Sequence, residues 1–109
     1  MPLQSLNTRR SLDSQMVTVD FTPYISLAEL SSSASSIAST ASVVTGNDPN
    51  PSNIIGASSL ISTQGQIIGN QLLVNGVSGT IYEIVCKVTM SSGNVYTINL
   101  YQAVNDNAI

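Results

Sequence analysis

The side chains able to carry chemistry are few, and the chain of 109 residues contains no histidine. That removes the commonest general base, the commonest metal ligand and the usual partner of a serine or cysteine nucleophile, so hydrolase triads built on histidine are excluded. Six carboxylates remain: Asp13, Asp20, Glu29, Asp48, Glu83 and Asp106. Acid–base work on a polar bond needs two of them facing each other across a substrate. These six fall in different elements, with no aromatic-lined cleft suggested around any pair, so they read as solvated surface. Calcium would want oxygen ligands on loops, and Asn47-Asp48-Pro49-Asn50 and Asn105-Asp106-Asn107 offer some. Neither supplies several carboxylates at ligand spacing, and Asx side chains that bond their own backbone to form turns account for both. The single cysteine, Cys86, cannot form an internal disulfide and lies in an alternating apolar segment, which reads as a buried strand position. No catalytic residue, metal or cofactor is expected.

The charged residues set the next limit. Three basic and six acidic side chains make 8% of the chain, against about 25% in an ordinary soluble domain. Ser, Thr and Asn fill 37 positions in their place, giving a surface of hydroxyls and amides. Charge is what usually keeps exposed strand edges from pairing, so the edges of such a protein are expected to be covered by partners. Arg9, Arg10 and Lys87 are the only cations and form no stripe that could neutralise phosphates; nucleic acid is not an expected ligand. The first ten residues lack the apolar core of a secretion signal, and no apolar run approaches a membrane span, so the expectation is synthesis in a cytoplasm without a membrane partner.

The elements that must position these residues are strands. The length suits one domain, long enough to bury roughly two-thirds of its unfolded surface. Residues 1–12 are polar and aperiodic and carry both arginines, which reads as an N-terminal arm followed by a folded domain over 13–109. On that reading Arg9 and Arg10 are interface residues suited to an acidic neighbour. From Gln15 to Phe21, Val17, Val19 and Phe21 share one strand face; Pro23 then stops the ladder, and Tyr24–Leu30 could make a short helical turn. Further strands are expected over Ile37–Val44, about Asn53–Ser62, about Gln66–Val74 with Gly69 as a bulge, Thr80–Met90 and Val95–Val104. The loop from Thr45 to Pro51 and the turns at Asn75–Gly79 and Ser91–Asn94 separate them. The clearest alternation puts Tyr82, Ile84, Cys86, Val88 and Met90 on one face. Some seven short strands with turns every ten or so residues predict an all-β, immunoglobulin-like sandwich, with a closed barrel as the alternative. Tyr82 opens its strand just after Gly79, as a tyrosine corner does, so its hydroxyl is expected to find a backbone partner.

Gly76-Val77-Ser78-Gly79-Thr80-Ile81-Tyr82, with Thr89-Met90-Ser91-Ser92-Gly93, resembles the G-x-x-G-T-x-Y strand and T-x-S-x-G hairpin of the phage fiber-tail adaptor proteins, small immunoglobulin-like virion proteins. Leu12-Asp13, Val17–Phe21 and Tyr24-Ile25 are similar to that family's opening L-D-Y-x-x-D-W and W-L, with Phe21 and Tyr24 where it often carries tryptophan. The resemblance covers about residues 12–104. It implies a virion protein of tail, neck or baseplate that joins fibers to the particle in multiple copies, partnered by other tail, neck or fiber subunits. Phe21, Tyr24, Gly79 and Tyr82 would be its structural anchors. A capsid decoration protein and a module recognising host glycans are the alternative functions; the second would need exposed aromatics or clustered acids on the loops at one end.

Overall fold

The computed structural model describes residues 3–63 and 65–107. Seven strands form two sheets: β1 (Leu3–Ser5), β2 (Gln15–Asp20), β3 (Ala34–Thr45), β4 (Ile55–Thr63), β5 (Gln66–Leu73), β6 (Thr80–Met90) and β7 (Val95–Val104). One sheet runs β1-β7-β6-β3 and the other β2-β5-β4. All pairings are antiparallel except β1 on β7, which is parallel. In immunoglobulin lettering this is an A′GFC sheet packed on a BED sheet, so the sandwich is immunoglobulin-like.

The core follows from period-two alternation. Along β6, Tyr82, Ile84, Cys86, Val88 and Met90 all face inward and are buried, while Ile81, Glu83, Val85, Lys87 and Thr89 form the outer face. From β7 come Ile98, Leu100 and Val104; from the opposite sheet come Val17, Val19, Phe21, Ile67 and Leu73. Burying side chains of this size contributes about 1.5–3 kcal/mol apiece before the entropy of ordering is subtracted.

Two of the inward polar side chains are glutamines, and each donates to carbonyls of irregular backbone. The register of β4 on β5 shifts between Ile55 and Ser58, so Gly56 and Ala57 have no regular ladder partner. The buried Gln71 donates from Nε2 to Gly56 O at 3.0 Å, Ala57 O at 3.4 Å and Leu72 O at 2.9 Å. The buried Gln102 likewise donates to Asn7 O and Ala103 O, each at 2.7 Å. Each glutamine amide gives these carbonyls a donor, while its own Oε1 is buried without a hydrogen-bond partner among the described residues.

Three expectations are corrected. Gly69 makes no bulge; it pairs regularly with Val19 and Leu60. It is glycine because Ile37 of the facing sheet fills the space: a Cβ there would overlap Ile37 Cδ1 and lie 3.4 Å from Phe21 Cε2. Tyr24 is not a core anchor, being 53% exposed. After β2 the chain makes a 3-10 turn over Thr22–Tyr24 and returns to extended backbone at Ile25, whose smaller side chain takes the buried place. Phe21, by contrast, is fully buried. Finally, the arm is docked. Met1 and Pro2 lie outside the described residues, but Leu3–Ser5 form β1, and the run along β7 continues with Leu6 N–H on Tyr101 O and Arg9 N–H on Ala103 O. Parallel addition to the β7 edge satisfies backbone groups that a polar, aperiodic segment would otherwise leave to water.

Candidate functional site

Each of the six carboxylates is engaged within the chain. Asp20 accepts from Thr22 N–H at 3.0 Å, closing the turn after β2. Glu29 accepts from Ser92 Oγ and from Asn94 Nδ2, tying the helical turn Leu27–Leu30 to the β6–β7 hairpin. Glu83 accepts from Tyr101 Oη at 2.9 Å and Asn99 Nδ2 at 3.3 Å on the outer face of the larger sheet, and this carboxylate pushes the Tyr101 phenol above its ordinary range. Asp13 faces Arg10 across 3.4 Å, an exposed pair of little energetic weight. Asp48 and Asp106 belong to the end of the sandwich where the chemistry is densest. Among the described residues no group of three or more His, Cys, Asp or Glu side chains is placed to hold a metal ion. Cys86 is buried, and burial pushes its thiol up, away from the reactive thiolate.

At that end the first element is the tyrosine corner. Gly79 sits at φ +85°, a left-handed turn that glycine adopts without strain, and its N–H meets Val104 O at 2.8 Å. This brings β6 in so that the buried Tyr82 hydroxyl accepts from Val77 N–H at 2.8 Å, the backbone partner expected from its position. The same hydroxyl donates to Asp48 Oδ2 at 2.6 Å, while Asp48 Oδ1 accepts from Asn50 N–H at 2.9 Å. One phenol thus joins the β3–β4 and β5–β6 loops. Burial, reinforced by the Asp48 carboxylate, raises the Tyr82 pKa.

The second element is Arg9. It is 4% exposed, so its side chain is not a docking charge, contrary to the role expected for it. Its Nη1 donates to Asp13 O at 2.7 Å and Arg10 O at 3.2 Å, and its Nη2 to Val74 O at 3.3 Å. Burial draws its pKa below the ordinary arginine value, with Asp13 opposing. Because a guanidinium carries five donors in a planar fork, one side chain can hold several carbonyls of a turn that has no ladder of its own. Arg10 stays exposed and faces Asp13. The turn is fixed further by Asp13 N–H on Arg10 O at 3.1 Å and by Ser11 N–H on Asp106 Oδ1 at 2.8 Å; that bond holds the Asp106 carboxyl below its usual range. Asp106 N–H in turn meets Ser78 Oγ at 3.0 Å, which joins the turn to the loop carrying Val77.

Between the two ends the sandwich presents faces and edges with few charges. The outer face of β6 carries only Glu83 and Lys87, and that of β2 only Asp20. The strand β3 pairs with β6 along one side and, among the described residues, has no strand partner along the other; at its start Ala34 N–H meets Ser62 Oγ of β4 at 2.8 Å. Its twelve residues include no charge and no proline. Sequence reading identified Tyr82 and Gly79 but missed Asp48 as the second partner of the phenol. It also missed the staples made by Gln71 and Gln102, for which only their apolar-phase positions in the alternation gave a signal, and the one made by Arg9, for which an aperiodic segment gave none. No family model matches the chain, and no curated protein matches it.

Proposed function

We propose that this protein is a non-enzymatic structural subunit of a phage virion, an adaptor that joins fibers to the tail, neck or baseplate and works in several copies among other virion proteins. The observation that carries this reading is the edge of β3 that no described strand pairs with: twelve residues long, without charge or proline, and irregular only near its ends, at Ala34/Ser36 and Val43/Thr45. Soluble monomers blunt such edges because an unpaired row of N–H and C=O groups templates pairing with other chains. In an assembly the same edge is a ready ladder for a partner strand. The resemblance of the Gly76–Tyr82 and Thr89–Gly93 segments to fiber-tail adaptors gives the reading its biological setting, and the engagement of all six carboxylates in internal bonds favours a scaffold over a reactive site.

The test is mass spectrometry of purified particles from the virus that encodes the chain, followed by cryo-electron microscopy to find its position. The expected result is a stoichiometric subunit at the junction of fiber and tail, with a neighbouring strand on the β3 edge. Absence from particles overturns the reading; a position scattered over the capsid surface moves it to decoration.

A further inference from the structure

The strands β3 and β4 end their sheets on one flank of the sandwich, and neither carries a charge or a proline. Along β3 the ladder to β6 is regular from Ser36 to Val43 and irregular on either side of that stretch. Within it Ile37, Ser39, Ala41 and Val43 point inward beside Val88, Cys86, Ile84 and Tyr82 of β6. The four β6 residues are fully buried, whereas the four on β3 are only half-buried, as befits a row with no strand beyond it. Ala38, Thr40 and Ser42 point outward and are exposed. Apart from the β6 ladder, no hydrogen bond among the described residues reaches the backbone of Ser36–Val43.

The stretch is complementary to itself. Turned antiparallel about Thr40, a second copy sets Ile37 opposite Val43 and Ser39 opposite Ala41 on the inner face, and Ala38 opposite Ser42 and Thr40 opposite Thr40 on the outer face. The pairs match in size, and the β-branched and threonine pairs are of the kind that stabilises adjacent strands. Centring the pair on Ser39 or Ala41 instead would set Val43 or Ile37 against an irregular end. The charges of β6 select the same centre. Lys87 lies beside Ala38 and Glu83 beside Ser42, so pairing about Thr40 puts each Lys87 on a row with the other copy's Glu83. They stand about 14 Å apart by Cα with only alanine and serine between, and Glu83 keeps its bonds to Tyr101 and Asn99, so the charges favour a register more than they add affinity. A centre on Ala38 would align lysine with lysine, and one on Ser42 glutamate with glutamate.

We infer that two copies of this chain join edge to edge, β3 against β3 in antiparallel register about Thr40, to make one continuous eight-stranded sheet. Because both copies use the same edge, the pairing closes at two and leaves no β3 edge to propagate. The inference rests on the reading of the β3 edge as an assembly contact and names its occupant.

The experiment is sedimentation equilibrium of the purified chain over a concentration series. Wild type should show a monomer–dimer equilibrium below about 1 mM. Thr40→Lys and Thr40→Glu each place like charges face to face and should weaken the dimer at least about tenfold, whereas an equimolar mixture of the two should recover it. Thr18→Lys, on the exposed face of β2, should dimerise as wild type does. Melts of all variants at dilute concentration should coincide with wild type, because neither threonine is buried. A wild-type chain that stays monomeric overturns the inference, as does a dimer that Thr40→Lys leaves intact. Loss of the dimer in both single variants without recovery on mixing overturns the register. Each of these results leaves the virion reading standing; that reading falls instead if purified particles lack the protein.

Discussion

Replacing Tyr82 by phenylalanine removes one oxygen from the end of a ring that is otherwise fully packed, so it isolates the corner from the core. Two hydrogen bonds go: the one accepted from Val77 N–H at 2.8 Å and the one donated to Asp48 Oδ2 at 2.6 Å. A neutral bond of the first kind is worth about 0.5–1.5 kcal/mol net, and a bond to a charged acceptor about 1.5–3 kcal/mol. The full sum is not expected, because Val77 is exposed and Asp48 only half-buried, so water can reach both orphaned groups. The expected loss is therefore about 1.5–3 kcal/mol. For a domain of this length that is a fall in Tm on the order of 5–15 °C. Urea unfolding followed by circular dichroism measures it, with Tyr101→Phe as control: that hydroxyl bonds Glu83 on the solvent side, and its loss should cost clearly less than that of Tyr82. Equal midpoints for wild type and Tyr82→Phe would mean that the hydroxyl does not hold the two loops together, and the corner would have no part in the stability of this end.

The raised Tyr82 pKa gives this variant a second signature. A phenol whose folded pKa exceeds its unfolded value favours the fold fully below the unfolded value of about 10, and that contribution is lost as pH rises through the folded pKa. Wild-type melting temperatures should therefore fall as pH rises beyond the ordinary phenol range, and Tyr82→Phe should flatten part of that decline. On the acid side the sign reverses for Asp106, whose lowered pKa contributes above the unfolded carboxylate value and is lost as pH falls, so Asp106→Asn should remove part of the acid-limb slope in the same melts. Gly69→Ala should cost about 1–3 kcal/mol by overpacking against Ile37, and adding Ile37→Val, which deletes the overlapping Cδ1, should recover part of it; additive costs in that double-mutant cycle would count against the contact. Deleting residues 1–10 removes β1 and the Arg9 staple, so calorimetry should show a loss of at least about 2 kcal/mol, and a truncated chain as stable as the full one would return these residues to the status of a loose arm.

The strands were legible because hydrophobic alternation is a local property. Thr80–Met90 and Val95–Val104 have the bounds that alternation and the flanking glycines predicted, and the inward set from Tyr82 to Met90 is the set that shares one phase. Glycine and Asx chemistry likewise placed the loop after Thr45 and the turn before Thr80, since left-handed backbone and side-chain-closed turns are written in residue type. What the residues could not declare was which polar side chains are inside. Gln71 and Gln102 stand in apolar phase but are polar by type, and only a bulge or a docked segment brought near by the other strands supplies carbonyls for their Nε2 donors. Arg9 is the same case at larger scale: a charge in an aperiodic segment reads as solvated until β7, Val74 and the turn at Asp13 surround it with acceptors. Gly69 reads differently for the converse reason, because whether a Cβ clashes there depends on Ile37 and Phe21 arriving from elsewhere in the chain. Local pattern determined the strands and their apolar faces; long-range packing alone decided where the polar groups and the arm would go, because hydrogen-bond satisfaction and excluded volume are set by neighbours distant in sequence.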